Sequence, residues 1–181
     1  MLTISNLAFL KDAFAVKGYQ WEQFHLIGLR SKDYVPNTFC DYIFLVDGDK
    51  AYSFHATTRP GKHWLTNLLN PKGTAVLKEG QYKNTWRLGK HQGKYEALVQ
   101  VMPVEVFRDN DRDELAESIG QIDRGLFGIN IHRANQSMIS KLVDRWSAGC
   151  QVIADPNDFN FLIKKCKDSG KGVFTYTLIN E

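Results

Sequence analysis

Residues Phe127–Gln151 read F-G-I-N-I-H-R-A-N-Q-S-M-I-S-K-L-V-D-R-W-S-A-G-C-Q, and the fold is read outward from them. Ile129 and Ile131 alternate with Gly128, Asn130 and His132, which is the period of a strand with one face buried. His132 then shares the opposite face with Asn130 and Gly128. Met138, Ile139, Leu142, Val143 and Trp146 recur at helical spacing, predicting a helix over Gln136 to Trp146. The stretch ends in a turn of small residues, Ser147-Ala148-Gly149, that delivers Cys150. A thiol needs a base or a positive field to become a nucleophile at neutral pH. A histidine carried by a neighbouring strand supplies such a base. Small residues before the cysteine leave the N–H groups of Gly149 and Cys150 free to face a developing oxyanion. The competing reading makes Cys150 a structural thiol and His132 a core histidine with a satisfied hydrogen bond.

Around this stretch the pattern is that of many short strands. Gln23 to Arg30 reads as a strand, and Tyr42–Val46 and Ala51–Phe54 as a hairpin about Asp47-Gly48-Asp49. Gly73–Tyr82, Trp86–Gly89, Tyr95–Val101 and Val104–Phe107 follow, separated by Gly80, Gly89, Gly93 and Pro103. Helices are expected at three further places. Ser5 is placed to cap one carrying Leu7, Leu10 and Phe14 and stopped by Gly18. Asp113–Ile122 puts Leu115, Ile119 and Ile122 on one face, and Asp155-Pro156 opens a last helix through Cys166. Val173–Ile179 reads as the closing strand. The expectation is a mainly β, α+β chain with a sandwich or barrel core and peripheral helices.

Ile131-His132 followed by Ser147-Ala148-Gly149-Cys150 resembles the signature of the L,D-transpeptidase family, the YkuD-type catalytic domain. That family carries Ile-His-Gly, a short intervening segment, then Ser-His-Gly-Cys with an arginine soon after. Arg133 stands here in place of the glycine, Ala148 in place of the second histidine, and Gln151-Val152 in place of the apolar-arginine pair. Thr58–Gly61 and Asn70–Gly73 look like the family's two loops after the hairpin. The resemblance runs from about Asp41 to Ile179. It implies a YkuD-like catalytic domain over 41–181, with an N-terminal helix and strand over 1–40 packing on the core.

The resemblance implies cysteine-dependent acyl transfer on peptidoglycan stem peptides. Cys150 would be the nucleophile and His132 the base, with Gly149 in the oxyanion turn. The Arg133 carbonyl would orient the imidazole. Ser147, Gln151, His91 and Tyr95 are the candidate substrate contacts, although Ser147 reads first as a residue that shapes the turn, and His91 and Tyr95 read first as residues of an exposed turn. The Arg133 side chain is either a carboxylate clamp or a solvated arginine. No metal or organic cofactor is implied. The site of action would be the cell wall, as in phage- or prophage-borne wall proteins. An inactive wall-binding module of the same fold is the alternative, and a cysteine hydrolase of unrelated amides a third.

Composition bounds these readings. A chain of 181 residues, 43% hydrophobic and 24% charged, is an ordinary globule of one domain, or of one domain with a small appendage. The net charge of +3 suits an anionic polymer, but no basic run interleaved with aromatics supports nucleic-acid binding. No apolar run reaches membrane-spanning length, and Lys11 and Asp12 interrupt what would be a signal peptide's apolar core. Cys40, Cys150 and Cys166 lack metal-ligand spacing, as do His25, His55 and His63; Cys40 and Cys166 read as small core residues. Asp109 to Asp113 imitates a calcium loop, but Glu114 and Gly120 stand where such a loop needs Gly and Glu.

Overall fold

The computed structural model describes all residues, Met1–Glu181. In chain order the elements are β1 (Leu2–Ile4), α1 (Ala8–Lys17), β2 (Phe24–Arg30), β3 (Asp41–Asp47), β4 (Lys50–Thr57), α2 (Lys62–Thr66) and β5 (Thr74–Leu77). Then come β6 (Gly80–His91), β7 (Tyr95–Gln100), β8 (Val104–Asp109), β9 (Gln121–Gly125), β10 (Ile131–Arg133), β11 (Gln151–Ile153), α3 (Pro156–Asp168) and β12 (Phe174–Asn180). With 40% strand against 15% helix, the chain is the mainly β, α+β protein expected.

Nine strands form one sheet in the order β1-β4-β11-β10-β7-β6-β12-β2-β3, and β3 also pairs with β4. All the strands but β1 therefore close into a ring. Strand β4 makes the closure: one edge pairs with β3 throughout, and the other takes β1 at Ala51–Ser53 and β11 at Ala56–Thr57. A second sheet, β5-β8-β9, flanks the ring.

Strand periodicity sorts the side chains into two cores. Leu26, Ile43, Leu45, Tyr176 and Leu178 face the main core, together with Phe54, Trp86, Leu98 and Ile131. Their neighbours Ile27, Phe44, Val46 and Ile179 face the other way and meet Leu7, Leu10 and Phe14 of α1. Helix α3 closes over the main core with Phe159, Leu162, Ile163 and Cys166. Asp155 caps it by accepting from the Asn157 N–H, with Pro156 in the first turn.

Residues 1–40 are not an appendage. Strand β2 lies inside the sheet, parallel to β12 and antiparallel to β3. Helix α1 begins after Leu7 rather than at a Ser5 cap; the Asn6 Oδ1 accepts from the Ala8 N–H at 3.0 Å, and Gly18 ends the helix as expected.

Two expected helices are absent. Between β10 and β11 the chain is an irregular loop, and Met138, Ile139, Leu142 and Trp146 are exposed. Its backbone is claimed from outside: Ser140 N–H donates to the Ala154 carbonyl, Val143 N–H to the Asn37 carbonyl, and Asp144 N–H to the Asn37 Oδ1. Side-chain acceptors such as Asn135, which takes the N–H groups of Ser137 and Met138, compete with a helical ladder in the same way. Residues 113–122 are likewise a loop running into β9, where Ile122 pairs with Phe107. The Asp113 Oδ1 and Asp109 Oδ2 take the N–H groups of Leu115 and Glu117.

Candidate active site

The site begins with a clamp. Gln100, the last residue of β7, accepts the N–H groups of Phe127 and Ile129 on its Oε1 and donates its Nε2 to the Gly125 carbonyl. Its own N–H donates to the Asn130 Oδ1 at 3.0 Å. Trp86 Nε1, fully buried, donates to the Ile129 carbonyl at 2.7 Å. These bonds pair the backbone groups of the irregular approach to β10 that no strand ladder takes.

Strand β10 then pairs in parallel with β11, Ile131 opposite Gln151 and His132 opposite Val152. One step back the Gln151 N–H donates to the Asn130 carbonyl, which brings Asn130 beside Cys150. Cys150, one residue before β11, and His132 are thus diagonal neighbours across the parallel pair, on one sheet face by strand alternation. The Cys150 sulfur accepts the Asn130 N–H at 3.4 Å, and the thiol donates to the Gly128 carbonyl at 3.4 Å. No hydrogen bond joins the sulfur to His132.

The His132 ring is oriented by its own strand. Its Nδ1 lies 2.7 Å from the Arg133 carbonyl, an acceptor only, so the proton sits on Nδ1. Tyr95 Oη donates to the same carbonyl at 3.2 Å and lies 3.2 Å from Nδ1. Nε2 is left as a bare lone pair, sealed from solvent and without a partner. Burial, with the adjacent His91 second, pushes the imidazole down to about 3. Burial also pushes the Cys150 thiol up to about 11, against the lowering effect of the Asn130 N–H. The resting pair is neutral thiol and neutral imidazole.

His91 stacks on His132, with ring centroids 4.0 Å apart and planes at 23°. Its Nδ1 is 3.0 Å from the Asn130 Nδ2. A groove of about 500 Å³ opens over Cys150, lined by His91, Asn130, Gly128, Ala148, Trp64 and Leu69 among others. No aspartate or glutamate lines it.

Three of the four proposed contacts lie elsewhere: Tyr95 lines the separate cleft that holds Arg133 and Glu96, and Gln151 and Ser147 are buried. Gln151 is fully buried: Tyr176 Oη donates to its Oε1 at 2.7 Å, and its Nε2 donates to the Gly149 carbonyl at 3.2 Å. It ties the cysteine turn to β12 and touches no groove. Ser147, also fully buried, shapes the turn, accepting the Gly149 N–H at 3.1 Å and donating to the Cys150 carbonyl at 2.7 Å. The Gly149 N–H is therefore not free for an oxyanion; none of the hydrogen bonds engages that of Cys150. Gly149 is required for another reason. At φ +123° a Cβ would sit 2.5 Å from the Ala75 carbonyl oxygen of β5.

Arg133 contributes its carbonyl. Its guanidinium lies 4.1 Å over the Tyr95 ring and lines a different cleft, beside Glu96 and Asn160. His91 and Tyr95 are not on an exposed turn; both are packed against His132. Asn130 is the residue that sequence reasoning passed over, although its place on the same strand face as His132 was visible. The Asn70–Gly73 loop borders the groove, and the Gly61 N–H donates to the Ser147 carbonyl. All three cysteines are free; Cys166 is buried, while Cys40 is partly exposed rather than in the core.

No family model, curated protein or solved structure matches the chain. No helix is long and apolar enough to cross a membrane.

Proposed function

We propose that this protein is a cysteine acyl-transfer enzyme acting on peptidoglycan stem peptides, as an L,D-transpeptidase or L,D-peptidase. The observation that carries the chemistry is the fixed tautomer of His132, which leaves the Nε2 lone pair unused on the sheet face that holds Cys150. The substrate class rests on the sequence resemblance and on a groove without carboxylates, which suits a peptide bearing its own.

In this reading the Cys150 thiol leaves the Gly128 carbonyl on substrate binding and turns to His132. Nε2 takes the proton as the sulfur bonds to the stem-peptide carbonyl carbon. The oxygen takes up the electron pair against the Cys150 N–H. Collapse breaks the carbon–nitrogen bond, the amine leaves with the proton from His132, and a thioester remains. An amine of a second stem, or water, resolves it.

The inactive wall-binding module is favoured by one observation: the thiol donates to Gly128 and not to the imidazole. Incubation with purified sacculi, with mass spectrometry of the muropeptides, separates the two. Altered cross-links or trimmed stems that vanish in Cys150→Ala and His132→Ala support the enzyme. Unchanged muropeptides together with sedimentation onto sacculi establish the module.

A further inference from the structure

The two stacked imidazoles hold opposite tautomers. The Asn130 Oδ1 is taken by the Gln100 N–H, so its Nδ2 is the donor that faces His91. His91 Nδ1 must then accept, and the ring proton of a neutral His91 sits on Nε2. His132 is the reverse, with its proton on Nδ1 and a lone pair on Nε2. His91 lines the Cys150 groove, and its Nε2 has no partner within the protein. His132 does not line the groove. A single residue, Asn130, sets both ends of this arrangement: its N–H holds the sulfur and its amide holds His91.

We propose that His91 is a catalytic residue of this site, donating its Nε2–H to the carbonyl oxygen of the peptide attacked by Cys150. This rests on the acyl-transfer reading above. It answers the loss of the Gly149 N–H, which Ser147 occupies, by supplying a second donor beside the Cys150 N–H. The step balances without His91 changing protonation. The thiol proton goes to His132, the sulfur–carbon bond forms, the π pair moves to oxygen, and the His91 N–H bonds to that oxygen. On collapse the pair returns, the carbon–nitrogen bond breaks, and the proton of His132 leaves on the amine. The division of labour follows from the tautomers: a ring with a free lone pair accepts the proton, and a ring with a free N–H receives the negative charge.

The test uses the full chain with a synthetic stem tetrapeptide ending in D-alanine, for the wild type, His91→Ala, His91→Gln and His132→Ala. Glutamine keeps an N–H donor near the position of Nε2. Loss of one oxyanion donor costs about 10²–10³ in kcat. His91→Ala is expected to show that loss with little change in KM, and His91→Gln to recover part of it. The Cys150 alkylation rate with iodoacetamide, which needs no oxyanion donor, is expected not to fall in either His91 variant, since removing His91 also relieves its lowering effect on His132. Nitrogen-15 shifts of the ring are expected to place the His91 proton on Nε2. Wild-type kcat in His91→Ala, alkylation that falls in step with kcat, or a proton on Nδ1 overturns the assignment alone. An inactive wild type overturns the acyl-transfer reading and this role with it.

Discussion

Replacing Gln151 by leucine tests the architecture beneath the cysteine turn. Leucine keeps the approximate volume and removes both polar ends. The Tyr176 hydroxyl, fully buried, then loses its acceptor at 2.7 Å, and the Gly149 carbonyl loses its donor at 3.2 Å. Each buried group left unpaired costs about 1–3 kcal/mol, so the variant is expected to lose about 2–6 kcal/mol. The lower half of that range applies if water reaches Gly149, whose turn borders the groove. At about 2–4 °C per kcal/mol for a chain of this size, a loss near 3 kcal/mol lowers Tm by about 6–12 °C. Tyr176→Phe orphans only the glutamine oxygen and is expected to cost about 1–3 kcal/mol. The double variant removes both partners of the shorter bond and leaves only Gly149 unpaired. It is expected to be more stable than Gln151→Leu alone. Urea unfolding of the four proteins closes the cycle. Additive losses, or a Gln151→Leu variant within 0.5 kcal/mol of the wild type (about the scatter of an indifferent surface change), refute the bond network as described.

Gly28→Ala places a Cβ 1.9 Å from the Tyr176 hydroxyl oxygen, and overpacking of this kind costs about 1–3 kcal/mol, read by the same urea melts. His25 is buried between Phe14 and Trp21 with neither ring nitrogen paired, and burial pushes it down to about 4 from an ordinary 6.5. Its folded value lies below its unfolded value, so stability is intact above about pH 6.5 and falls as the pH drops toward 4, by up to about 3 kcal/mol. His25→Phe is expected to flatten that acid loss without lowering stability at pH 7; an unchanged pH profile counts against it. With its thiol held up near 11, Cys150 is expected to alkylate more slowly than free cysteine at pH 7 and to accelerate steadily above pH 8, followed by intact mass. Rapid labelling at pH 6 would show a resting thiolate instead.

Much of the ring was legible because strand alternation and turn residues mark it. The hairpin about Gly48, the strands near Tyr95 and Val104, the closing strand and the Asp155-capped helix all occur where the pattern puts them. The two helices that failed had helical spacing on the page, but spacing reports a face only if something covers it. Nothing covers Met138, Ile139 or Leu142, and Asn37, over a hundred residues away in sequence, takes the backbone instead. Gln151 failed for the converse reason. A polar residue beside a presumed nucleophile reads as a contact, yet its partner is a tyrosine 25 residues on, in the closing strand. Only the fold, which sets the Tyr176 hydroxyl over Gly28 and against Gln151, shows that the glutamine is core.

The turn before Cys150 owes its shape to this same closure. Ser147 and Gln151 bond its backbone from either side, and Ala75 of the second sheet leaves no room for a Cβ at Gly149. Two separate elements, β11 through Gln151 and β5 through Ala75, thus fix a turn that Ser147 braces from within, and of these residues only Ala75 lines the groove. A loop bearing a nucleophile needs such support, because displacement by about 1 Å is enough to cost a hundredfold in rate. The wall-binding module, by contrast, has no use for a cysteine turn held this tightly or for an imidazole lone pair kept vacant beside it. That asymmetry is why weakening the turn from below, by Gln151→Leu at a temperature where the variant stays folded, is expected to reduce turnover on the stem tetrapeptide while leaving binding to sacculi in place.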